Sequence, residues 1–490
     1  MFDTEAALPG VLRDALDAHA RAGRTAFTGP DGPVTYAELA RLVDAYAAGA
    51  RDVRRGELVG LAGRKGVPLV AAFLGVQAAG GCPSVVEPRL GADALAERFA
   101  SVGLRRVFGV DDALDDLRGL AEHGIAVSDL RPGGGPAPRP ELDPGDRAML
   151  LFTSGSTGGS KGVLLSHRNL LVNAAGVVER TGVTPDDRLL HVMPLHHTNG
   201  VNNQVIAPLL AGATIALLPR FRAEEVPDAL RAYDVTYMTG VPTMYARVLA
   251  AAGDAPIAVP SGLRFLRCGS APITEARHRA VEDAFGVPLV VSYGLSEATC
   301  TSAMNPPGAR RIGSVGTVLP GQEIGLFTPG GTDRVPAGAA GEVRIGGPAV
   351  MLGYLGDGAG SPVVEGRLAT GDLGRLDDGY LTITGRIKDV IIRGGENIAP
   401  AAIESVLATH PAVRECCVVG RPDADLGEVP VAFVTVAPGG APPTEPALQS
   451  LVRDRLARAY VPASITFLDA LPVNGVGKID RRRLASFSRR

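Results

Sequence analysis

Apolar residues follow a helical spacing in some parts of the chain and form short continuous runs in others. The segment VTYAELARLVDAYAAGA (34–50) has apolar positions at helical spacing, and Thr35 is its predicted N-cap. The runs ELVGLAG (57–63) and RRVFGV (105–110) are typical of buried strands. This alternation of helices and strands over about the first 130 residues predicts a largely parallel sheet.

The alternation resumes after a Pro- and Gly-rich connection at 131–146. The next predicted elements are the strand RAMLLFT (147–153), the helix HRNLLVNAAGVVER (167–180) and the strands RLLHVMPL (188–195) and ATIALLP (213–219). Beyond GGPAVMLGYLGD (346–357) the apolar runs become shorter and are separated by glycines, as in GYLTITGR (379–386). Such runs favour an antiparallel sheet.

The last hundred residues have a separate apolar pattern. AAIESVLATH (401–410) and PALQSLVRDRLA (446–457) predict helices, and ECCVVGRP (415–422) and VPVAFVTVA (429–437) predict strands. The predicted fold class is α/β, with a large N-terminal domain of mostly parallel sheets and packed helices, an antiparallel subdomain and a small α+β C-terminal domain. A chain of 490 residues is long enough for at least two domains.

Composition narrows the class of partner. Apolar residues make up 46% of the chain, charged residues 21%, and the formal charge of -3 gives no reason to expect nucleic acid or an anionic membrane. The five cysteines are scattered and have no CxxC spacing, which favours reduced thiols. The N-terminal segment is acidic and amphipathic, unlike a signal peptide, so we expect a cytoplasmic protein.

The segment LLFTSGSTGGSKGVLL (150–165) combines glycines, hydroxyl side chains and one lysine between apolar runs. Backbone N–H groups on glycine-permissive geometry form an anion-binding nest, and a lysine suits a polyphosphate. The segment follows an apolar strand and precedes the helix predicted at 167–180, the context in which phosphate loops occur. It does not fit the GxxxxGK[ST] pattern of a P-loop NTPase. A flexible surface turn is the alternative interpretation.

This loop resembles the phosphate loop of the adenylate-forming superfamily, which contains acyl-CoA synthetases, luciferases and peptide-synthetase adenylation domains. Further segments resemble that family's motifs in the family's order. They are MPLHHTNG (193–200), RCGSAPI (267–273), VSYGLSEAT (291–299), TGDLGRLDDGYLTITGRIKDVIIRGGENI (370–398) and PVNGVGKIDRRRL (472–484).

The resemblance implies ATP and Mg²⁺ as cofactors and assigns a set of ATP-binding residues. Phosphate binding falls to Thr153, Ser154, Gly155, Ser156, Thr157, Gly158 and Lys161. Adenine and ribose binding falls to Gly269, Ser270, Ala271, Tyr293, Gly294, Asp372 and Arg386. Glu297 is the implied Mg²⁺ ligand, since Mg²⁺ is bound by one or two carboxylates plus phosphate oxygens. Ser296 beside it is expected to donate to a phosphate oxygen, and the alternative interpretation of this segment is a strand end followed by a helix that Ser296 caps.

The resemblance also implies a catalytic lysine, a hinge and a mobile C-terminal domain. Lys478 would reach the carboxylate and the α-phosphate, and is implied to be catalytic with Glu297, Thr153 and Lys161. Lys388 stands at the family's hinge, which implies domains at 1–387 and 388–490, the second mobile and carrying the catalytic lysine. A rotation there would bring Gly394, Gly395 and Glu396 to a thiol tunnel.

The identity of the acid is the open part. His197 matches the family's pocket position, and we assign Asn202, Asn203 and Gly294 to the same pocket. The segment PLHHTNGVNNQ contains no acidic residue that could hold an α-amino group, so an α-amino acid is disfavoured. Buried amides need hydrogen-bond partners, which favours a small or polar acid, although these amides could also cap a helix.

The expected function is therefore an ATP-dependent acid:CoA ligase that forms an acyl-adenylate and then an acyl thioester. One alternative is a stand-alone adenylating enzyme that passes the acid to a separate carrier protein or to a nitrogen nucleophile, including nitrite-activating relatives in natural-product pathways. Another is a catalytically silent nucleotide-binding regulator. The expected partners are a small carboxylic acid and CoA, with no nucleic acid or membrane, and the chain as a monomer or homodimer.

Overall fold

The fold is a mixed α/β arrangement, seen in a computed structural model that describes residues 2–88, 90–111, 113, 117–154, 160–253, 256–356, 360–436, 442–473 and 479–488. The helices are α1 Leu8–Arg21, α2 Tyr36–Gly49, α3 Val67–Ala78, α4 Ala92–Val102, α5 Arg118–Ala121, α6 His167–Thr181, α7 Ala207–Ala211, α8 Val226–Ala232, α9 Pro242–Ala252, α10 Glu275–Phe285, α11 Pro400–Leu407, α12 Glu445–Arg455 and α13 Arg481–Phe487.

The strands of the described residues fall into five sheets. In chain order they are β1 Thr25–Thr28, β2 Val34–Thr35, β3 Leu58–Ala62, β4 Cys82–Val85, β5 Arg106–Gly109, β6 Ala126–Asp129, β7 Arg147–Ser154, β8 Ser160–Ser166, β9 Arg188–His191, β10 Thr214–Leu217, β11 Tyr237–Gly240, β12 Phe265–Cys268, β13 Leu289–Tyr293, β14 Ala303–Met304, β15 Thr317–Val318, β16 Glu323–Phe327, β17 Gly341–Gly346, β18 Gly353–Leu355, β19 Val363–Val364, β20 Arg367–Asp377, β21 Tyr380–Arg386, β22 Ile391–Arg393, β23 Glu396–Ile398, β24 Val413–Asp423, β25 Gly427–Val436 and β26 Ser464–Phe467.

Local sequence signals account for where the helices begin. The Thr35 side chain accepts a hydrogen bond from the Glu38 N–H at 3.2 Å, and the Glu38 carboxylate accepts one from the Thr35 N–H at 2.8 Å. This capping box satisfies two amide groups that the first helical turn leaves unpaired. Ser166 and Asn169 cap α6 in the same way. The predicted N-cap of α2 is therefore confirmed.

The largest sheet has nine strands in the order β15-β14-β13-β12-β11-β9-β10-β1-β2. Its central strands, from β13 to β1, are all parallel, while β14, β15 and β2 pair antiparallel at the two edges. A second sheet, β4-β3-β5-β6, is parallel throughout. Parallel strands place all their carboxyl ends at one edge, where ligand sites of α/β proteins form.

The antiparallel part is larger than the sequence predicts. The sheet of β16, β17, β19, β20 and β21 is antiparallel, and its first strand begins at Glu323 rather than beyond 346. The predicted strand at 188–195 is shorter than expected, because β9 ends at His191 and the chain turns before Pro194. A proline cannot donate to a neighbouring strand in the interior of a sheet.

The C-terminal residues form a separate small α+β unit, as the sequence predicts. Its sheet has the order β23-β22-β25-β24, with β26 parallel to β25. Helices α11 and α12 cover one face with an apolar core that includes Ile403 and Leu448. None of the helices in the described parts of the chain combines the length and the apolar character that a membrane crossing requires.

Candidate functional site

The predicted phosphate loop connects two antiparallel strands. β7 pairs with β8, with Thr153 opposite Lys161, and α6 begins only after β8. The helix predicted at 167–180 is confirmed as α6, but the apolar run that follows Lys161 pairs with β7 and forms a strand between the loop and that helix. Gly155, Ser156, Thr157 and Gly158 lie outside the described residues, and Ser154 ends β7.

A tyrosine connects this hairpin to the predicted Mg²⁺ ligand. Tyr354 lies in β18, which pairs with β8, and the Lys161 ammonium lies 4.7 Å from the centre of its ring. The Tyr354 hydroxyl donates to Glu297 Oε1 at 2.7 Å. Burial, and then the Glu297 carboxylate, raise the pKa of Tyr354, so the hydroxyl stays protonated and remains a donor. Sequence reasoning missed Tyr354, since only the pairing of β18 with β8 brings it to the site.

Glu297 lies in a single 3₁₀ turn, Ser296–Ala298, after β13. Leu295 occupies the N-cap position, and no α-helix follows, so the alternative interpretation of a helix capped by Ser296 is wrong. Thr299 ends the turn at φ +58°, a left-handed conformation that β-branched residues rarely adopt. The turn leaves the Glu297 carboxylate half-buried, and its Oε2 accepts no hydrogen bond from the described residues.

Three of the predicted ATP-binding residues meet around one carboxylate. Asp372 in β20 lies opposite Arg386 in β21, and its Oδ1 accepts from Arg386 Nε at 2.5 Å. Its Oδ2 accepts from the hydroxyl of Tyr293, at the end of β13, at 2.7 Å. Burial and then the Asp372 carboxylate raise the pKa of Tyr293 well above its usual value, so this hydroxyl is also a fixed donor. Asp372 is only 7% exposed, but a carboxylate can accept further hydrogen bonds.

Glycines at the ends of β12 and β13 permit close backbone packing. A Cβ at Gly294 would lie 2.1 Å from the carbonyl oxygen of Cys300, and one at Gly269 would lie 2.7 Å from Ser292 Oγ. Ser270, next to Gly269, has φ +67° and is exposed, and Ala271 follows it. Because β12 and β13 are parallel neighbours, both turns lie at the same edge of the large sheet. The structure thus brings these predicted residues together with Tyr293 and Glu297.

The predicted acid pocket follows β9. The rings of His196 and His197 lie 4.3 Å apart, and a π-helix, Asn199–Ile206, begins two residues later. Such helices are rare and are frequently found at functional sites. Asn202 and Asn203 are 0% and 3% exposed within it.

Both amides of the π-helix take part in a buried polar network. Asn202 Nδ2 donates to Asn173 Oδ1 at 3.1 Å. Asn203 Nδ2 lies 2.9 Å from Cys300 Sγ and donates to Thr301 Oγ1 at 3.0 Å. Thr301 Oγ1 also accepts from Arg267, a residue in the middle of β12. Sequence reasoning missed Arg267, Cys300 and Thr301, although an arginine within the apolar run FLRC is a signal that could have found the first.

A lysine outside the predicted motifs lies beside the same strand. Lys65 donates to the carbonyl oxygen of His191 at 3.2 Å, and His191 Nε2 lies 2.8 Å from the carbonyl oxygen of Gly200. Burial lowers the pKa of Lys65 to about 7, and burial followed by the nearby Lys65 charge lowers the pKa of His191 well below its usual value. The sequence has four lysines, and the other three are the predicted site residues Lys161, Lys388 and Lys478.

The structure describes four of the predicted C-terminal site residues: Lys388, Gly394, Gly395 and Glu396. Lys388 is in a 3₁₀ turn, Ile387–Asp389, and Gly394 and Gly395 form the turn between β22 and β23 with φ +57° and +86°. Glu396 is exposed, and no hydrogen bond among the described residues joins this hairpin to Glu297 or Asp372. Lys478 lies outside the described residues.

In α10, Arg277 contacts the C-terminal unit. Arg277 Nη2 donates to the Arg414 carbonyl oxygen at 3.0 Å, and Arg277 Nη1 lies 3.6 Å from Glu415.

Comparison with known proteins gives a consistent result. The sequence matches the AMP-binding enzyme family over residues 15–355 and the AMP-binding enzyme C-terminal domain over 402–478. It is 37% identical to a sulfoacetate–CoA ligase of Cupriavidus necator, over 71% of this chain and 68% of the relative. It is 35% identical to an indoleacetate–CoA ligase of Aromatoleum aromaticum, over 96% of each chain.

A solved structure extends the similarity to the fold. The ATP-bound MatB structure from Rhodopseudomonas palustris superimposes with a TM-score of 0.89 and 29% identity, covering 98% of both chains.

Proposed function

The chain belongs to the AMP-binding enzyme family and is an AMP-forming acid–thiol ligase, and we propose that it is an ATP-dependent acid:CoA ligase for a small or polar carboxylic acid. The observation that carries the proposal is the cluster in which Tyr354 joins Lys161 to Glu297. Lys161 and Glu297 thus contact the same tyrosine, which supports assigning Lys161 to phosphate and Glu297 to a metal in a reaction between two anions.

The first half-reaction joins an acid to the α-phosphate of ATP and releases pyrophosphate. Charge neutralisation dominates such reactions, because an anion must approach a polyanion. We assign Thr153, Ser154 and Lys161, with Gly155, Ser156, Thr157 and Gly158, to the β- and γ-phosphates. Asp372 would accept the ribose hydroxyls while Arg386 and Tyr293 fix its position, and Tyr293, Gly269, Ser270 and Ala271 would surround the adenine.

Glu297 is the residue that would hold Mg²⁺, with Ser296 beside it for phosphate. Its half-buried carboxylate fits the ion, since Tyr354 engages one oxygen and the other accepts no hydrogen bond from the described residues. When bound, Mg²⁺ neutralises phosphate charge. Tyr354 and the Ser296–Ala298 turn orient the carboxylate.

The second half-reaction transfers the acyl group to a thiol. We assign Lys478 to the first step and Lys388 to the hinge between a domain of residues 1–387 and one of 388–490. Gly394, Gly395 and Glu396 would then line the path of the CoA thiol. Contacts such as that of Arg277 with Glu415 would be exchanged during the rotation.

The test is pyrophosphate release with ATP and Mg²⁺ across a panel of acids, with and without CoA. Release that depends on one acid, completed as a thioester by CoA, is the expected result. Release without any dependence on CoA would instead point to a carrier protein or a nitrogen nucleophile as acceptor. Measured ATP binding with no release for any acid would contradict the proposal and favour a regulatory protein.

A variant of Lys478 separates the two half-reactions. Lys478→Ala should abolish adenylation but retain thioester formation from a supplied acyl-adenylate, because its charge is needed only where two anions meet. Adenylation that survives this substitution would contradict the assignment.

A further inference from the structure

The two residues directly after the Ser296–Ala298 turn have a left-handed backbone. Thr299 has φ +58° and Cys300 has φ +95°, and neither is a glycine. A β-branched residue rarely adopts this region, because its Cβ comes too close to the following carbonyl oxygen. Such a conformation persists only where the surrounding structure holds it in place, and it commonly lies at a functional site. Contacts of Thr299 must therefore hold the turn.

The side chain of Thr299 makes one such contact. It is fully buried, and its Oγ1 donates to the Ala349 carbonyl oxygen at 2.6 Å. The carbonyl groups on either side of Ala349 are held by Asn169, whose Nδ2 donates to Pro348 at 2.7 Å and to Val350 at 2.9 Å. Two side chains thus bind three successive carbonyl groups, which fixes the path of the segment that precedes β18.

The same segment holds Glu297 at two points. The Met351 N–H donates to the Glu297 carbonyl oxygen at 2.9 Å, and the Tyr354 hydroxyl donates to Glu297 Oε1 at 2.7 Å. Thr299 lies two residues after Glu297, and Ala349 lies two residues before Met351. The hydrogen bond between Thr299 and Ala349 therefore aligns the turn on the segment and limits how far the Glu297 carboxylate can move.

We propose that Thr299 is a positioning residue for Glu297. Its hydroxyl, bonded to the Ala349 carbonyl oxygen, holds the left-handed turn and keeps the carboxylate where Tyr354 donates to one oxygen and the other faces Mg²⁺. Without the hydroxyl the turn relaxes towards an ordinary backbone conformation, and the carboxylate loses its orientation. The inference rests on the proposed ligase function and on the assignment of Mg²⁺ to Glu297.

The test measures how pyrophosphate release depends on Mg²⁺ in three variants of Thr299. Thr299→Val keeps the shape of the side chain but removes the donor, and should raise the Mg²⁺ concentration for half-maximal release about tenfold, the factor for one hydrogen bond. Thr299→Gly adopts a left-handed backbone without strain but also lacks the hydroxyl, so the same shift is expected. Thr299→Ser retains the hydroxyl and should stay within about twofold of the unmodified protein.

A second buried threonine provides the matched control. Thr181 in α6 is 5% exposed, and its Oγ1 donates to the Val177 carbonyl oxygen at 2.7 Å. Thr181→Val removes a hydrogen bond of the same kind and should lower Tm by a similar amount, because both carbonyl groups lose a buried donor. The Mg²⁺ requirement should stay unchanged in this variant. A shift of the requirement thus separates positioning from a general loss of stability.

Two further measurements do not depend on turnover. In the protein without nucleotide and metal, amide hydrogen exchange in the peptide 348–354 should be about tenfold faster in Thr299→Val and unchanged in Thr299→Ser, since the Thr299 hydroxyl protects this segment. In calorimetric titrations, Mg²⁺ should strengthen ATP binding less in Thr299→Val than in the unmodified protein. ATP binding measured in EDTA should be the same in both.

The inference and the proposed function fail in different ways. An unchanged Mg²⁺ requirement in Thr299→Val or Thr299→Gly, or an equal shift in Thr181→Val, would overturn the role of Thr299 while the ligase function stands. The absence of pyrophosphate release with every acid, despite ATP binding, would overturn the ligase function, and hydrogen exchange and calorimetry would still test Thr299. If Thr299→Val does not fold, Thr299→Gly and Thr299→Ser decide, because they differ in the hydroxyl.

Discussion

The contact between Gly294 and Cys300 allows the effect of one added methyl group to be calculated. In Gly294→Ala the new Cβ would lie 2.1 Å from the Cys300 carbonyl oxygen, whereas real Cβ contacts do not fall below 3.0 Å. One of the two backbone segments must therefore move by about 1 Å. A displacement of about 1 Å at a reacting centre costs about 100-fold in rate. We expect the kcat/KM for pyrophosphate release to fall by about that factor.

Two further glycines provide a graded comparison. In Gly269→Ala the new Cβ would lie 2.7 Å from Ser292 Oγ, a side-chain atom that can move, so a smaller loss of kcat/KM is expected. Adding Ser292→Ala to the same chain should restore activity. Gly308→Ala is the control, because nothing lies within 4 Å of its added Cβ. Thermal unfolding and ATP binding, measured for each variant, separate a local displacement from global destabilisation. Activity of Gly294→Ala within about threefold of the unmodified protein would refute the reasoning.

Three other expectations follow from contacts of the site. Tyr354→Phe removes a hydrogen bond to the Glu297 carboxylate, and a hydrogen bond to a charged group contributes about 1.5–3 kcal/mol. The kcat/KM, measured across a Mg²⁺ titration, should therefore fall by about 10- to 100-fold. Unchanged kinetics would exclude a role of Tyr354 in orienting Glu297. Because folding lowers the pKa of Lys65 to about 7, the unfolded chain binds more protons between about pH 7 and 10. Urea unfolding should therefore show stability rising over this interval, and Lys65→Met should flatten the rise; the same slope in both proteins would contradict this. Arg277→Ala removes a partly exposed contact to Glu415, and should shift the ratio of the two half-reaction rates by no more than about fivefold.

Much of the fold follows from local pattern. Helix α2 begins where its capping box predicts, and β3, β5 and β7 form at the apolar-rich runs that predict strands. The proximity of two residues within one motif also follows from local sequence. Asp372 and Arg386 belong to one segment that forms a hairpin, and the register of β20 on β21 then places them opposite each other.

Features that depend on distant pairing were not predictable. Tyr354 reaches Glu297 only because β18 pairs with β8 across nearly two hundred residues of chain. The phosphate loop is a hairpin because the segment after Lys161 finds its partner in β7, which an apolar run alone does not specify. The burial of Arg267 against Thr301 could not be predicted either, since the sequence shows a charge but not what lies beside it.

The position of Tyr354 makes the energetic effects of Lys161 and Glu297 depend on each other. Its ring contacts Lys161 and its hydroxyl contacts Glu297, so a change at either charged residue alters the environment of the other. Residues that share a partner give non-additive losses. Removing both charges should therefore lower kcat/KM by less than the product of the two single-variant factors. The contribution of each residue cannot be obtained by adding the effects of single variants. Two motifs that are separate in the sequence form one thermodynamic unit.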